Sequence, residues 1–371
     1  MSIYEQVLGF IESPGAESFE ALALDVFRFQ FANVPVYRAY CQSRNANPEN
    51  VRRLANIPYA STLAFKYADV ANISDDAAAG LTFLTSGTTK GFAERGRHRV
   101  PKPEIYRAAA IAHLRRMLFP DDARIAMLAM HPTADRMPES SLSRMIGWCI
   151  EEFGAGAVEC VASRQGVDAA RAAVFLAETA ARDEPVCILG TTASFAALFE
   201  HLRANGPRIR LAAGSRIMDT GGAKGQIIPL GAEAVVASAG QLLGVAPALA
   251  INEYGMTELC SQLYDATPFN CAGAAGTPGA RMKLAPPWMR SVTLDPAIMS
   301  PAAPGAAGML AFFDLANAGS ISALMTEDFG IVQGDAVAIL GRAAASGARG
   351  CALAIDEFAE RELARVAADR R

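Results

Sequence analysis

The middle of the chain alternates short apolar runs with helical segments, and this alternation restricts the folds that it can adopt. Apolar runs that end in turn residues are RIAMLAM (124–130), PVCILG (185–190) and ALAINEYG (248–255). Segments with the apolar spacing of helices are IYRAAAIAHLRRML (105–118) and DAARAAVFLAETAAR (168–182). Strands that alternate with helices form a largely parallel sheet covered by those helices, so we expect an α/β fold.

The two ends of the chain have different patterns. Residues 1–80 are mostly helical in pattern, and Ser18 is suited to N-cap the amphipathic segment SFEALALDVFRFQF. From about residue 280, proline, glycine and short β-like runs such as GMLAFFDL (308–315) and AVAILGR (336–342) predict a small β-rich subdomain. The tail IDEFAERELARVAADRR has one apolar face and predicts a final helix.

Composition argues against several classes of protein. The 371 residues are 51% hydrophobic and 19% charged, with a formal net charge of -4. A large core is therefore available, and a concentrated basic face for nucleic acid is not indicated. We interpret the short basic run at residues 95–99 as a solvated loop.

The N-terminus and the cysteines point to a cytoplasmic protein. The first residues lack the basic start and apolar run of a secretory signal, and no stretch approaches the ~18 apolar residues of a membrane helix. The seven cysteines are odd in number and form no CxxC pair, so neither a disulfide framework nor a zinc site is predicted. We expect a soluble cytoplasmic protein without a membrane span.

A run of hydroxyl residues and glycines follows an apolar strand in LTFLTSGTTKG (81–91). Such a run lets backbone N–H groups close around an anion while the hydroxyls add donors, which suits the polyphosphate of ATP. The candidates are Thr85, Ser86, Gly87, Thr88, Thr89 and Lys90. Neither this run nor TGGAKG (220–225) matches the GxxxxGK[ST] P-loop, and taken alone such a run is more often a surface turn.

A second candidate segment is AINEYGMTELCSQ (249–262), where an apolar strand runs into polar residues. The nucleotide-binding candidates at the strand end are Asn252, Glu253, Tyr254 and Gly255. The Tyr254 ring can stack on a purine, Thr257 can reach the α-phosphate, and Glu258 can hold Mg²⁺ near the phosphates. Taken alone, these residues also suit a helix N-terminus with Thr257 and Glu258 in its first turn.

A third candidate combines MTEDFG (325–330) with GRAAASGARGCAL (341–353). A turn carboxylate at Asp328 can accept two hydrogen bonds from a ribose diol, and Arg342 can reach the same ribose or a phosphate. Taken alone, the two segments also fit a plain β-hairpin with a polar turn.

The order of these three segments is similar to that in adenylate-forming enzymes, which include acyl-CoA synthetases, peptide adenylation domains and luciferases. Within that superfamily the chain resembles the acyl-protein synthetase family, whose founding member is the long-chain-fatty-acid–protein ligase that supplies fatty acid to the bacterial luminescence reductase complex. The matching segments are SFEALALDVFRFQFANVPVYRAYC (18–41), FLTSGTTKG (83–91), ESSLSRMIGW (139–148), GSRIMDTGGAKG (214–225), INEYGMTEL (251–259), KLAPPWMR (283–290), FDLANAGSISALMTEDFG (313–330) and RGC (349–351).

The resemblance implies a fold, cofactors and a role for each matching residue. The implied fold is the adenylate-forming large domain, and the implied cofactors are ATP and Mg²⁺. The hydroxyl-and-glycine run would wrap the β- and γ-phosphates, while Gly221, Gly222 and Tyr254 would frame the adenine. Thr257 and Glu258 would address the α-phosphate and Mg²⁺, with Asp328 and Arg342 on the ribose. Positioning and charge neutralisation would dominate the in-line attack of a carboxylate on the α-phosphorus.

The chain departs from most adenylate-forming enzymes at its C-terminus. Those enzymes carry a further mobile domain that delivers a catalytic lysine, whereas 21 residues follow Gly350 here. We expect another lysine to supply the charge. The candidates are Lys90, Lys224, Lys66 and Lys283, with Lys224 favoured because TGGAKG is expected beside the nucleotide.

Cys351 is the candidate acyl carrier. In the acyl-protein synthetase family a cysteine near the C-terminus takes the acyl group from the adenylate as a thioester, and Cys351 matches it in RGC. The guanidinium of Arg349 favours the thiolate that such an attack requires. The alternative is a half-buried cysteine that anchors the final helix.

The acid pocket is predicted from fewer features. His131 follows a strand end in LAMHPTADRMPESS, close to where related enzymes place a gating aromatic residue or histidine, although such a histidine is more often structural. Trp148, Gly190 and Thr191 are the further candidates. Gly190 follows a strand, where a ligand can approach the backbone closely.

These features predict ATP-dependent activation of a carboxylic acid, with a fatty acid expected, and transfer through Cys351 to an acceptor protein. The alternatives are a ligase that uses coenzyme A or an amine, and a non-catalytic nucleotide- or acyl-binding homologue. The expected partners are the acid and a reductase, acyl-carrier protein or coenzyme A. The expected parts are a helical N-terminal region (1–80), an adenylate-forming core with a β-rich end (81–340) and a hinge with a short helix (341–371).

Overall fold

The computed structural model describes residues 1–15, 18–72, 80–85, 95–221, 231–271, 281–296 and 299–342, with the backbone alone for Asn205. The helices in these residues are α1 (Ile3–Glu12), α2 (Phe19–Asn33), α3 (Pro35–Ser43), α4 (Ala64–Tyr67), α5 (Pro103–Leu118), α6 (Ser141–Phe153), α7 (Ala169–Ala181), α8 (Thr192–Asn205) and α9 (Ala232–Leu243). Short 3-10 helices lie at Leu54–Asn56, Pro247–Leu249 and Leu315–Asn317.

The strands in the same residues are β1 (Ala60–Ser61), β2 (Leu81–Leu84), β3 (Arg97–Val100), β4 (Ile125–Met130), β5 (Gly154–Cys160), β6 (Ala162–Ser163), β7 (Gly166–Val167), β8 (Val186–Thr191), β9 (Arg216–Thr220), β10 (Ala250–Tyr254), β11 (Leu263–Asp265), β12 (Lys283–Leu284), β13 (Met289–Leu294), β14 (Ala307–Asp314), β15 (Ala323–Gln333) and β16 (Ala336–Arg342). The chain divides into two compact units. Unit 1 contains the described residues of Met1–Ala110, Met256–Ser261 and Leu284–Arg371, and unit 2 contains those of Ile111–Gly255 and Gln262–Lys283.

Unit 2 has the predicted largely parallel sheet. Its strands run in the order β5, β4, β8, β9, β10, β11, and neighbours are parallel except for the antiparallel pair β10 and β11. All six residues of β4 are buried, as expected for a strand covered by helices on both faces. Phe175, Phe195 and Phe199 from α7 and α8 lie in the core cluster that contains residues of β4, β8 and β9. The α/β fold that the alternation predicts is confirmed.

Unit 1 is built from helices and an antiparallel sheet. Strands β13 to β16 pair in sequence order, and β1 pairs in parallel with β15. Strands β2 and β3 pair with each other. The buried Gln30 of α2 is held by Ser322: its Nε2 donates to the Ser322 hydroxyl at 3.0 Å, and its Oε1 accepts from the Ser322 N–H at 3.2 Å.

The predicted N-cap position of α2 is confirmed, whereas the predicted turn at Asp328 is wrong. Ser18 occupies the N-cap position of α2, but its side chain makes no capping hydrogen bond. Asp328 lies within β15 rather than in a turn, because the β15–β16 connection comes later, at Gly334.

The six cysteines among the described residues are free thiols. None of the helices in the described ranges has the length and apolarity needed to cross a membrane.

Candidate functional site

The carboxyl ends of β9 and β10 place several candidates together in unit 2. Thr220 and Glu253 are register partners on these parallel strands, and the Thr220 hydroxyl donates to the buried Glu253 carboxylate. Gly221 follows directly, is exposed and has a φ of +93°, a conformation that glycine adopts without strain. The half-buried Tyr254 ends β10. Ligands of α/β sheets bind outside such strand ends.

Gly255 is required by the packing of its neighbours. A Cβ atom on this residue would overlap Oε1 of Glu253 and would come within 3.3 Å of Cγ of Gln262. The backbone after Tyr254 is therefore covered on one side by a carboxylate and by the buried Gln262 side chain. On the other side Gly255 is exposed, which leaves its backbone open to a ligand.

Asn252 does not have the expected position of a nucleotide contact. The residue is 7% exposed, its Nδ2 donates to Oδ2 of Asp219 at 2.8 Å, and its Oδ1 accepts from Nζ of Lys283 at 2.6 Å. Both ends of the amide are thus used inside unit 2. Lys283 is likewise buried and hydrogen-bonded, so it is not positioned as a free catalytic cation.

In unit 1, β2 ends at the start of the hydroxyl-and-glycine run. Thr85 is buried, and its Oγ1 accepts from the Gly96 N–H at 2.8 Å, while its own N–H donates to the Gly96 carbonyl at 2.9 Å. Nε of Arg95 donates to the Thr85 carbonyl. These contacts fix the first residue of the run. Its remaining candidates, Ser86, Gly87, Thr88, Thr89 and Lys90, lie outside the described residues.

His98 connects β3 to the segment that carries Thr257. Its Nδ1 lies 2.7 Å from the Thr257 carbonyl oxygen, and its Nε2 lies 3.0 Å from Oγ of Ser320. A carbonyl only accepts, so Nδ1 carries the proton. Burial lowers the pKa of His98 to about 4, although the hydrogen bond to Thr257 opposes this shift, so the imidazole is neutral at pH 7 and its Nε2 accepts from Ser320.

The sequence interpretation missed this histidine. The basic run at 95–99 was expected to be a solvated loop, which is wrong, because Arg97–Val100 forms β3 and His98 is 1% exposed. The available signal was the alternation of Arg97, His98, Arg99 and Val100, in which the second and fourth residues are buried.

The segment Met256–Ser261 is a turn that side chains of unit 1 hold in place. The N–H of Leu259 donates to the Met256 carbonyl at 3.2 Å, and no helix begins here, so the helix alternative is wrong. Asn317 fixes the segment because its Nδ2 donates to the Glu258 carbonyl at 2.8 Å and its Oδ1 accepts from the Cys260 N–H at 2.8 Å. Thr257 and Glu258 keep half-buried side chains.

Glu258 fits the requirements of a magnesium ligand. Mg²⁺ is usually held by one or two carboxylates together with phosphate oxygens and water, so a single half-buried carboxylate beside Thr257 is compatible with it. Among the described ranges no group of three or more histidine, cysteine, aspartate or glutamate side chains could hold a metal ion without such outside ligands.

Asp328 and Arg342 are cross-strand partners on β15 and β16. Nε of Arg342 lies 3.7 Å from Oδ1 of Asp328, and its Nη1 lies 3.4 Å from Oε2 of Glu327. Asp328 is largely buried while Arg342 is exposed. The structure therefore brings these two candidates together as a carboxylate beside a guanidinium.

Three acid-pocket candidates lie at the carboxyl ends of β4 and β8 in unit 2. Met130 and Gly190 are register partners, His131 follows Met130, and Thr191 N-caps α8 by accepting from the Ser194 N–H. Burial lowers the pKa of His131 to about 4. Its buried Nε2 has no hydrogen-bond partner among the described residues.

Trp148 and Gly190 have structural roles of their own. Trp148 is a buried residue of α6. A Cβ atom on Gly190 would lie 3.1 Å from Cβ of Met130, so close packing of β8 on β4 also accounts for this glycine.

The other candidates are lysines, a glycine and the cysteine. Lys66 is half-buried on α4. Gly222, Lys224 and Cys351 lie outside the described residues, as does the expected final helix.

Solved structures with a similar fold include a 2-hydroxyisobutyryl-CoA ligase and MatB. A 2-hydroxyisobutyryl-CoA ligase in complex with 2-HIB-AMP and CoA has 15% identity and a TM-score of 0.65, over 90% of this chain and 70% of that one. The same enzyme in its postadenylation state has 14% identity and a TM-score of 0.64, over 89% and 72%. ATP-bound MatB from Rhodopseudomonas palustris has 17% identity and a TM-score of 0.49, over 72% of this chain and 48% of that one. The chain thus spans about half the length of MatB.

At these identities the likeness establishes the fold alone, which is that of 2-hydroxyisobutyryl-CoA ligase. The family model described as "Acyl-protein synthetase, LuxE" matches residues 9–359. The chain belongs to the acyl-protein synthetase family. No curated protein matches it.

Proposed function

We propose that this protein uses ATP to activate a carboxylic acid as an acyl-adenylate. Membership of the acyl-protein synthetase family supports this function. The structural observation that carries it is the 2.7 Å contact between His98 and the Thr257 carbonyl. Because β3 follows the hydroxyl-and-glycine run in the sequence, this contact within unit 1 supports the proposal that the run and Thr257 serve one triphosphate site.

The proposed roles follow the positions of the side chains. The run at residues 85–90 binds the β- and γ-phosphates, and Thr257 donates to the α-phosphate. Asp328 accepts from the ribose hydroxyls, and Arg342 neutralises charge beside it. Tyr254 presents the flat face of its ring to the adenine, and Gly221 presents its exposed backbone.

The proposed chemical step is in-line displacement at the α-phosphorus. A carboxylate oxygen of the acid forms the new P–O bond, and the bond to the oxygen that bridges the α- and β-phosphates breaks, so that pyrophosphate leaves. Mg²⁺ bound by Glu258 would supply charge neutralisation on the phosphates. The residues of the protein hold the reactants in line and exclude alternative geometries, which is the main requirement of phosphoryl-type transfer.

For the second half-reaction we propose a thioester. The thiolate of Cys351 attacks the acyl carbonyl, AMP leaves, and the acyl group then moves to an acceptor such as a reductase or acyl-carrier protein. Consistent with the family, the proposed acid is a fatty acid. A reaction that consumes ATP suits the cytoplasm. Because the similar solved structures include a CoA ligase in its thioesterification state, coenzyme A is the second candidate acceptor.

ATP–pyrophosphate exchange across a panel of fatty, short-chain and aromatic acids tests the first half-reaction. Exchange that depends on one class of acid is the expected result. If none of the acids in the panel supports exchange, the result would contradict the proposal and favour a non-catalytic homologue.

Intact-mass spectrometry with ATP and the active acid then tests whether Cys351 carries the acyl group. The mass gain of one acyl group should disappear in Cys351→Ser but persist in Cys271→Ser, a half-buried cysteine of unit 2. No mass gain in the wild type would favour coenzyme A or an amine.

A further inference from the structure

A buried ion pair lies behind the carboxyl end of β10 in unit 2. Nζ of Lys283 is 2.8 Å from Oδ1 of Asp265, and the two residues are 6% and 1% exposed. Nη1 of the less buried Arg281 lies 3.3 Å from the other Asp265 oxygen. The pair is therefore removed from water and cannot serve as a surface charge.

Both members of the pair bind one residue, Asn252. Nζ of Lys283 donates to the Asn252 carbonyl at 3.0 Å and to its Oδ1 at 2.6 Å. Oδ2 of Asp265 accepts from the Asn252 N–H at 3.0 Å. The three ammonium donors of Lys283 are all used, so the main chain and side chain of Asn252 are fixed two residues before Tyr254.

Asn252 passes this constraint to the neighbouring strand. Its Nδ2 donates to Oδ2 of Asp219 at 2.8 Å, and Asp219 is its register partner on β9. The Thr192 hydroxyl at the start of α8 lies 3.0 Å from the same Asp219 oxygen and 3.2 Å from the Gly221 carbonyl. One chain of buried hydrogen bonds thus runs from Lys283 to the residue that follows β9.

A buried ion pair is in general weak evidence of a contribution to stability. Well-packed apolar residues of similar volume are often as stabilising as a buried ion pair, because removing charges from water costs as much as their attraction returns. What the pair provides is a defined geometry, since each partner has fixed positions for its hydrogen bonds.

We propose that Lys283 and Asp265 are positioning residues that set the nucleotide-binding ends of β9 and β10 without contacting the nucleotide. They act through Asn252 on Tyr254, and through Asp219 and Thr192 on Gly221. This inference rests on the proposed function, because it takes those strand ends to bind ATP.

Two variants of Lys283 and one control test the proposal. Lys283→Met removes the buried ammonium. Lys283→Arg keeps the charge opposite Asp265, but its planar guanidinium cannot direct three donors from one point. The control is Arg216→Met, which removes a different buried cation of unit 2. Arg216 is 1% exposed and pairs with Asp121. It is the first residue of β9 and lies at the opposite end of that strand from Thr220.

The primary measurement is the dissociation constant of a non-hydrolysable ATP analogue, with thermal unfolding recorded for each variant. We expect both Lys283 variants to bind the analogue about 10- to 100-fold more weakly, the scale at which misplaced binding groups act. Arg216→Met should lose stability while its affinity changes less than about twofold, because distant sites act independently. Amide hydrogen exchange should accelerate at residues 219–221 and 252–254 in Lys283→Arg and not in Arg216→Met.

The outcomes separate this inference from the proposed function. Unchanged affinity in folded Lys283→Arg, equal loss of affinity in Arg216→Met, or a Lys283→Arg protein that does not fold would each overturn the positioning role. If the wild type binds the analogue but none of the acids supports pyrophosphate exchange, the proposed function alone would be overturned. Wild type that does not bind the analogue would overturn both.

Discussion

Nδ1 of His98 donates to the backbone carbonyl of Thr257 across 2.7 Å, although 159 positions separate the two residues in the chain. The histidine is completely buried and neutral, and its second nitrogen accepts from Ser320. It therefore acts as a fixed connection between three segments of unit 1. The segment with Thr257 cannot shift relative to β3 without breaking this connection.

Replacing His98 with phenylalanine should weaken both stability and catalysis. The ring still fills the space, but the Thr257 carbonyl and the Ser320 hydroxyl lose their partner, which costs about 1 to 3 kcal/mol. Urea unfolding and ATP–pyrophosphate exchange measure the two effects. The control is His201→Phe on α8, outside this cluster and only half-buried. Equal effects of the two substitutions would show that His98 has no specific role in holding the Thr257 segment.

The contribution of His98 to stability should decrease in acid. Its pKa is about 4 in the folded protein and about 6.5 in the unfolded chain, so the unfolded chain takes up the proton first as the pH falls. The free-energy advantage of wild type over His98→Gln should shrink by about 2 kcal/mol between pH 7 and 5. Urea unfolding at both pH values measures this change.

The stability of the wild type must be compared with that of His98→Gln because other buried groups also change their protonation over this pH range. Burial also lowers the pKa of His131 to about 4, which acts in the same direction. Burial raises the pKa of Asp219 and of Asp314 to about 6 in the folded protein. As the pH falls, the folded protein therefore takes up these protons before the unfolded chain does, which stabilises the fold and opposes the effect of the histidines. A pH-independent difference between wild type and His98→Gln would contradict the burial of a neutral His98.

Gly255→Ala should impair nucleotide binding because the added methyl group would overlap the Glu253 carboxylate. That carboxylate accepts from Thr220, so its displacement disturbs the ends of both β9 and β10. We expect at least about tenfold weaker binding of an ATP analogue, since misplaced binding groups have effects of this size. Gly147→Ala in α6 is the matched control, because nothing lies within 4 Å of its Cβ position. Wild-type affinity in Gly255→Ala would show that this backbone does not contact the nucleotide.

Asp328→Asn should slow ATP–pyrophosphate exchange by about tenfold to a hundredfold, the effect of one charge-assisted hydrogen bond of 1.5 to 3 kcal/mol. The matched control is Glu327→Gln, which removes the exposed carboxylate 3.4 Å from the same Arg342. Exposed ion pairs contribute little, so Glu327→Gln should retain most of the wild-type rate. If the two variants behave alike, Asp328 is not a ribose ligand.

The regular elements could be predicted because their pattern is local. The apolar runs that became β4, β8 and β10 each extend over five or six residues, and α5 and α7 have several turns of helical spacing. Parallel pairing of such strands brings their carboxyl ends to one edge, so the position of Tyr254 at the end of a sheet strand could be predicted from sequence.

The polar connections could not be predicted in the same way. His98 meets Ser320 from 222 positions away, and Lys283 meets Asn252 from 31 positions away. The alternation that indicates the burial of His98 extends over only four residues, which makes it a weak signal, and nothing local shows that Asn252 faces inward. These contacts depend on the pairing of distant segments, which determines whether a polar residue binds a ligand or its own protein.

Transfer of ¹⁸O from the carboxyl group of an active acid tests adenylation most directly. After acyl transfer, the released AMP should carry one ¹⁸O atom in its phosphate, and the pyrophosphate should carry none, because the carboxylate oxygen has bonded to the α-phosphorus. Mass spectrometry of both products gives the answer. Label in inorganic phosphate with ADP as the nucleotide product, or AMP without label, would contradict an acyl-adenylate.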